Sequence, residues 1–119
     1  MTYINSLLIG LMFCVFRDCP GILTIELQHN SLDDVEGPFL ISKSLQYLDV
    51  SYSNLSVLSM EFFANITALH TLDLSGNPLI TLDQGIFDPL TSLETLTLNN
   101  CKLTHISDNT FFSLEALKR

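Results

Sequence analysis

The segment LHTLDLSGNPL, residues 69–79, places leucines at offsets 0, 3, 5 and 10. That spacing matches neither the 3.6-residue period of a helix nor the alternation of a strand. Stepping by 24 residues carries every mark with it. Offset 0 is held by Leu45, Leu69, Leu93 and Leu117, offset 3 by Leu48, Leu72 and Leu96, and offset 5 by Val50, Leu74 and Leu98. Offset 10 carries Leu55, Leu79 and Leu103, and offset 13 carries Leu58, Leu82 and Ile106. Phe63, Phe87 and Phe111 follow at offset 18, then Ile66, Leu90 and Leu114 at offset 21. Apolar positions kept in register over three consecutive units define a repeat protein, and a fixed period of this length means a solenoid. A looser unit opens at Ile22 with Ile25, Leu27, Asn30, Leu32 and Val35, one residue shorter, with Phe39 six residues before Leu45. Leucine heptads are excluded, because the marks drift off a 3.5-residue period.

Each mark has a physical task. Side chains at offsets 3 and 5 leave the same face of a short strand. In LHTLDLS, Leu72 and Leu74 are expected to point inward, with Thr71, Asp73 and Ser75 outward. One strand per unit, stacked on its neighbours, gives a parallel sheet along one side of a coil. The phenylalanines require a wide interior opposite it, so the stack curves and the sheet lines the concave side. The expected class is an α/β solenoid with short helical or irregular convex segments. After each strand the chain turns through the interior, where an unpaired backbone group costs about 1–3 kcal/mol. The amide of Asn77 can donate and accept there. Asn30, Cys101 and Ser53 hold the same offset, with Asn54 as an alternative to Ser53.

The string L-x-x-L-x-L-x-x-N-x-L, present as LHTLDLSGNPL, resembles the leucine-rich repeat, and the 24-residue period with its phenylalanine resembles the "typical" subfamily. The resemblance is strong over 45–117 and weaker over 22–44. It implies a horseshoe segment of the kind found in Toll and Toll-like receptors, Slit-type proteins, matrix proteoglycans and insect adhesion proteins. It also implies protein–protein recognition by the concave face and a secreted or cell-surface location. Where extracellular members carry a cysteine-rich N-terminal cap, this chain offers Cys19 alone. The sequence closes on EALKR as a fifth unit opens at Leu117. A solenoid end without a polar cap exposes apolar side chains and a strand edge. A fragment, marginally stable by itself, is therefore expected.

The repeat domain is expected over 22–119, with units opening near 22, 45, 69 and 93. Residues 1–21 have two readings. The ten-residue apolar run Leu7 to Phe16 is too short for a bilayer span, which needs about 20, and suits a secretory leader. No Lys or Arg precedes it and Arg17 follows it, which favours a capping segment of the folded body. Three cysteines, Cys14, Cys19 and Cys101, leave the redox compartment open. A net charge of −8 disfavours nucleic acid and anionic membrane surfaces. Contact with a membrane would run through a region outside this chain.

Catalysis has little support: His29, His70 and His105 fall at different offsets, and no hydrolase, phosphate-loop or zinc spacing occurs. No metal or cofactor is implied. The candidate ligand surface is the outward side of the strands: Glu26, Gln28 and His29, then Tyr47, Asp49, Ser51 and Tyr52. Thr71, Asp73 and Ser75 continue it, followed by Thr95, Thr97 and Asn99. Glu26, Asp49 and Asp73 share a column with no Lys or Arg in the set, which suits a basic protein ligand, with Tyr47 and Tyr52 as aromatic anchors. Against this stands a plain solvated face in an acidic protein. Asn54-Leu-Ser and Asn65-Ile-Thr are glycosylation candidates, and Asn30, Asn77 and Cys101 are the expected structural ladder. A structural matrix role, a cytoplasmic scaffold and a fragment without independent function remain as alternatives to the receptor or adhesion reading.

Overall fold

The computed structural model describes residues 3–5 as backbone, and residues 21–32 and 40–119 in full. Seven strands occur among them: β1 (Tyr3–Asn5), β2 (Thr24–Glu26), β3 (Tyr47–Asp49), β4 (Thr71–Asp73), β5 (Thr81–Leu82), β6 (Thr95–Thr97) and β7 (His105–Ile106). A parallel sheet has the order β1-β2-β3-β4-β6, and β5 pairs with β7 in a second, two-stranded parallel sheet. The remaining segments are turns and irregular chain, with no helix among the described residues. The solenoid therefore stands as expected, its convex side irregular rather than helical.

Register follows the leucine marks. Ile25 pairs with Leu48, Leu48 with Leu72, and Leu72 with Leu96. Differences in unit length are absorbed outside the strands, because the pairing stays in step across units of unequal length. β1 extends this register to Tyr3↔Thr24 and Asn5↔Glu26, inside the segment with the two readings given above. The apolar run Leu7 to Phe16, Cys14, Cys19, Val35 and Phe39 lie outside the described residues. Beyond β6, Lys118 N–H and Arg119 N–H both donate to Glu94 O, at 2.7 and 3.1 Å. The same paired donation occurs from His70 and Thr71 to Gln46 O.

The core is one cluster running along the coil axis. Ile25, Leu48 and Leu72 are fully buried under the sheet, as are Leu27, Val50 and Leu74 at the next inward position. Opposite them stands a phenylalanine column: Phe63 and Phe87 at 5.8 Å between ring centroids, Phe87 and Phe111 at 5.9 Å. Phe62 meets Phe63 edge-on at 4.9 Å. Such contacts add about 0.5–1.5 kcal/mol per pair beyond area burial. They also set the convex side wider than the strand side, which curves the stack. Leu96, Leu98, Leu103 and Phe111 are partly buried and pack against this cluster.

Phe87, in contact with a ring on each side, is expected to lose about 3–5 kcal/mol of stability on Phe87→Ala. Phe112, 80% exposed, is expected to change stability by less than about 0.5 kcal/mol on Phe112→Ala. Urea denaturation followed by circular dichroism measures both.

Candidate ligand-binding face

The strand exits decide which side chains reach the concave surface. In units two and three the Ser51 N–H donates to Asp49 Oδ1 and the Ser75 N–H to Asp73 Oδ1, each at 2.9 Å. Each aspartate thus closes a local turn with one oxygen, as short acidic side chains commonly do. The backbone ladder continues past the strands: Val50 N–H donates to Asp73 O and Tyr52 N–H to Ser75 O. At the next residue the backbone turns left-handed in every described unit: His29 at φ +62°, Tyr52 at +51°, Gly76 at +70° and Asn100 at +57°.

The chain then enters the interior, where one side chain per unit satisfies it. Asn77, fully buried, accepts from Ser53 N–H and Leu55 N–H on Oδ1, both at 3.0 Å. Its Nδ2 donates to Leu74 O at 2.8 Å and to Val50 O at 3.0 Å. Ser53 Oγ reaches Leu27 O at 3.0 Å, Asn30 Nδ2 donates to Leu27 O at 2.8 Å, and the Cys101 thiol donates to Leu74 O at 3.4 Å. Ser53 itself takes the interior position, while Asn54 is exposed. Burial pushes the Cys101 thiol above the usual range and the Asp73 charge adds to this, while backbone bonds at Asn77 and Gly76 pull it down. Cys101 is free.

The candidate surface is narrower than its sequence pattern. Ser51 and Ser75 are each only 6% exposed, and Ser75 Oγ accepts from Asn99 N–H at 3.0 Å, so both serve the coil more than a ligand. They are buried because each lies inside the turn that its aspartate closes. Glu26, Asp49 and Asp73 stand in direct register, half-buried, with Thr97 completing the row. Tyr47, Thr71 and Thr95 form a parallel row, also half-buried, and Gln28 is likewise half-buried. His29, Tyr52 and Asn99 are exposed. Tyr52 therefore sits on the rim beyond the strands, apart from Tyr47. Asn54 and Asn65 are both exposed, on the turn after β3 and on the convex side.

Among the described residues no group of three or more His, Cys, Asp or Glu is placed to hold a metal ion. No helix among them is long and apolar enough to cross a membrane. A recess of about 230 Å³ lined by Gln84, Asp88, Asn109, Phe112 and Ser113 contains none of the residues of the acidic row.

The sequence signature of the leucine rich repeat matches residues 22–79, 43–103 and 67–119, overlapping spans that together cover 22–119. No curated protein matches the sequence. The fold is similar to Toll from Drosophila in its complex with Spatzle, with a TM-score of 0.73 and 19% identity over 86% of this chain. It is also similar to TLR13 in a complex with the single-stranded RNA ssRNA13, with a TM-score of 0.67 and 20% identity over 98% of this chain. The matches span 14% and 19% of those two chains. The second is a complex with RNA, so the exclusion of nucleic acid drawn from net charge finds no support there.

Asn77→Ala leaves the buried Ser53 N–H, Leu55 N–H and Val50 O short of a partner, while Leu74 O keeps the Cys101 thiol, and is expected to lower stability by at least about 3 kcal/mol, at about 1–3 kcal/mol for each group. Cys101→Asn restores an amide at the matching position and is expected to raise it by about 1 kcal/mol. Thermal and urea melts of the two variants beside the unaltered chain check both signs.

Proposed function

Because the chain belongs to the leucine-rich repeat family, we propose that it recognises a protein ligand, without catalysis, on its concave face. The observation that carries this reading is the register of β2, β3 and β4. It stacks Glu26, Asp49 and Asp73 at about 4.8 Å intervals in one row. Like charges at that spacing repel one another, and a basic ligand relieves the repulsion. One oxygen of Asp49 and one of Asp73 are held by a backbone N–H, so these carboxylates are oriented before a ligand arrives. The row favours a basic polypeptide over a polyanion. Of the two similar structures, the complex of Toll with Spatzle is the closer analogue of such an encounter.

The module belongs, on this reading, to a receptor or adhesion protein that faces the extracellular space or an endosomal lumen. The fold it shares with Toll and TLR13, and the exposed sequons at Asn54 and Asn65, support that placement. A second reading, a scaffold with no ligand on this face, draws on the same geometry, because the turn-closing role of Asp49 and Asp73 gives both residues a purely structural purpose.

Asparagine separates the two readings, since it keeps the Oδ1 acceptor and loses the charge. The variant Glu26→Gln/Asp49→Asn/Asp73→Asn is expected to fold as the unaltered chain does. It should bind fluorescein-labelled octalysine about tenfold more weakly at low salt, with three charge contacts contributing up to about 1 kcal/mol each. Fluorescence anisotropy reads the affinity. Equal affinity in the neutralised variant supports the scaffold.

A further inference from the structure

The left-handed column at the strand exits contains a conflict with local backbone preference. Glycine and asparagine adopt such a backbone readily, and Gly76 and Asn100 are in keeping with that. A tyrosine at φ +51° is an outlier, and so, to a lesser degree, is His29 at +62°. Strain of this kind persists where surrounding contacts over-determine it, and such positions cluster at binding sites.

Tyr52 is held by contacts to all three other members of its column. Its ring stacks on His29 at 5.3 Å between centroids and 13° between planes. It occupies the space above Gly76, where a Cβ would overlap ring atoms Cγ, Cδ1 and Cε1. Its Oη accepts a hydrogen bond from Asn100 Nδ2 at 3.1 Å. Gly76 therefore has two tasks, one for its own backbone and one for the neighbour's ring. The ring is nevertheless 47% exposed and stands outside the apolar core. The result is a rigid strip of imidazole, phenol and amide across four units, about 14 Å long at the strand spacing.

The charges beside the strip all have one sign. Glu26, Asp49 and Asp73 each lie three residues before His29, Tyr52 and Gly76, and no Lys or Arg occurs in 24–29, 47–52, 71–76 or 95–100. We propose that this strip is the docking rail for an extended, arginine-bearing segment of a protein partner that runs along the solenoid axis, with Tyr52 as its anchor. The proposal rests on the reading of the concave face as a protein-recognition surface and adds where the segment lies. Arginine fits both halves of the site, because its planar guanidinium packs on aromatic rings and pairs with carboxylates. A pre-set aromatic ring beside a row of opposite charge has the character of an interface hot spot.

The test uses the full chain and a fluorescein-labelled octapeptide of alternating arginine and glycine, read by anisotropy, with a glutamate–glycine octapeptide as control. Tyr52→Asn places a residue tolerant of the left-handed backbone there and removes the ring. The rail predicts a melting temperature equal to or above that of the unaltered chain, with affinity for the arginine peptide reduced by about tenfold or more. Tyr52→Gly gives the same reading should the asparagine variant fail to fold. Unchanged affinity in these variants, alongside weaker binding by the Glu26→Gln/Asp49→Asn/Asp73→Asn variant, overturns the rail and leaves acid-row recognition standing. A lowered melting temperature with unchanged affinity also overturns it, by assigning the ring a structural role. No binding of the arginine peptide by the unaltered chain, or equal binding of the glutamate peptide, overturns both the rail and the basic-ligand reading.

Discussion

The buried amide of Asn77 is the interaction on which the coil most visibly depends. The chain leaves each strand and turns into the apolar interior within a few residues, carrying backbone groups that would lose water without replacement. Asn77 satisfies groups of its own unit and of the one before, from Val50 O through Leu74 O to the amides of Ser53 and Leu55. It ties consecutive units together as well as completing its own turn. Ser53 and Cys101 fill the same position with a hydroxyl and a thiol, which offer fewer or weaker bonds. The leucines supply the burial, and the paired turn beside them lets the backbone enter the interior without orphaned polar groups.

Structure and recognition share atoms on the other side of the strand. Asp49 and Asp73 each use one oxygen to close the turn, which fixes their position in the row. The same turn draws Ser51 and Ser75 inward and off the ligand surface. The left-handed residue that follows projects its side chain over the rim, which is how Tyr52 comes to lie across Gly76 and reach Asn100. The available surface is therefore what the coil leaves unused: a row of acids, a row of threonines and one tyrosine, and an aromatic rim.

The regular part of this arrangement was legible in the sequence. Offsets 3 and 5 predict the inward side chains, and Ile25, Leu48 and Leu72 with their partners are buried there. Offset 18 points to a phenylalanine column, and the rings stack along it. Strict alternation assigned Ser51 and Ser75 to the outside, but alternation holds only while the chain stays extended, and the aspartate turn ends it at that point. The left-handed column was missed because tyrosine carries no propensity for it and histidine only a modest one. A signal was present, since glycine and asparagine at positions 76 and 100 mark the matching residues 29 and 52 as left-handed. Nothing in the pattern of leucines marks Tyr3–Asn5 as a strand, because the unit it opens keeps few of the later marks.

The central claim, that buried polar side chains and not leucines alone hold consecutive units in register, is tested most directly by amide hydrogen exchange. The Ser53 and Leu55 amides, whose acceptor is a side-chain oxygen of the next unit, should be as protected in the unaltered chain as those of Leu48 and Leu72 in the sheet. In Asn77→Ala, protection should fall together at these amides and along the neighbouring strands β3 and β4. Loss confined to Ser53 and Leu55, with the strands as protected as before, would contradict the account.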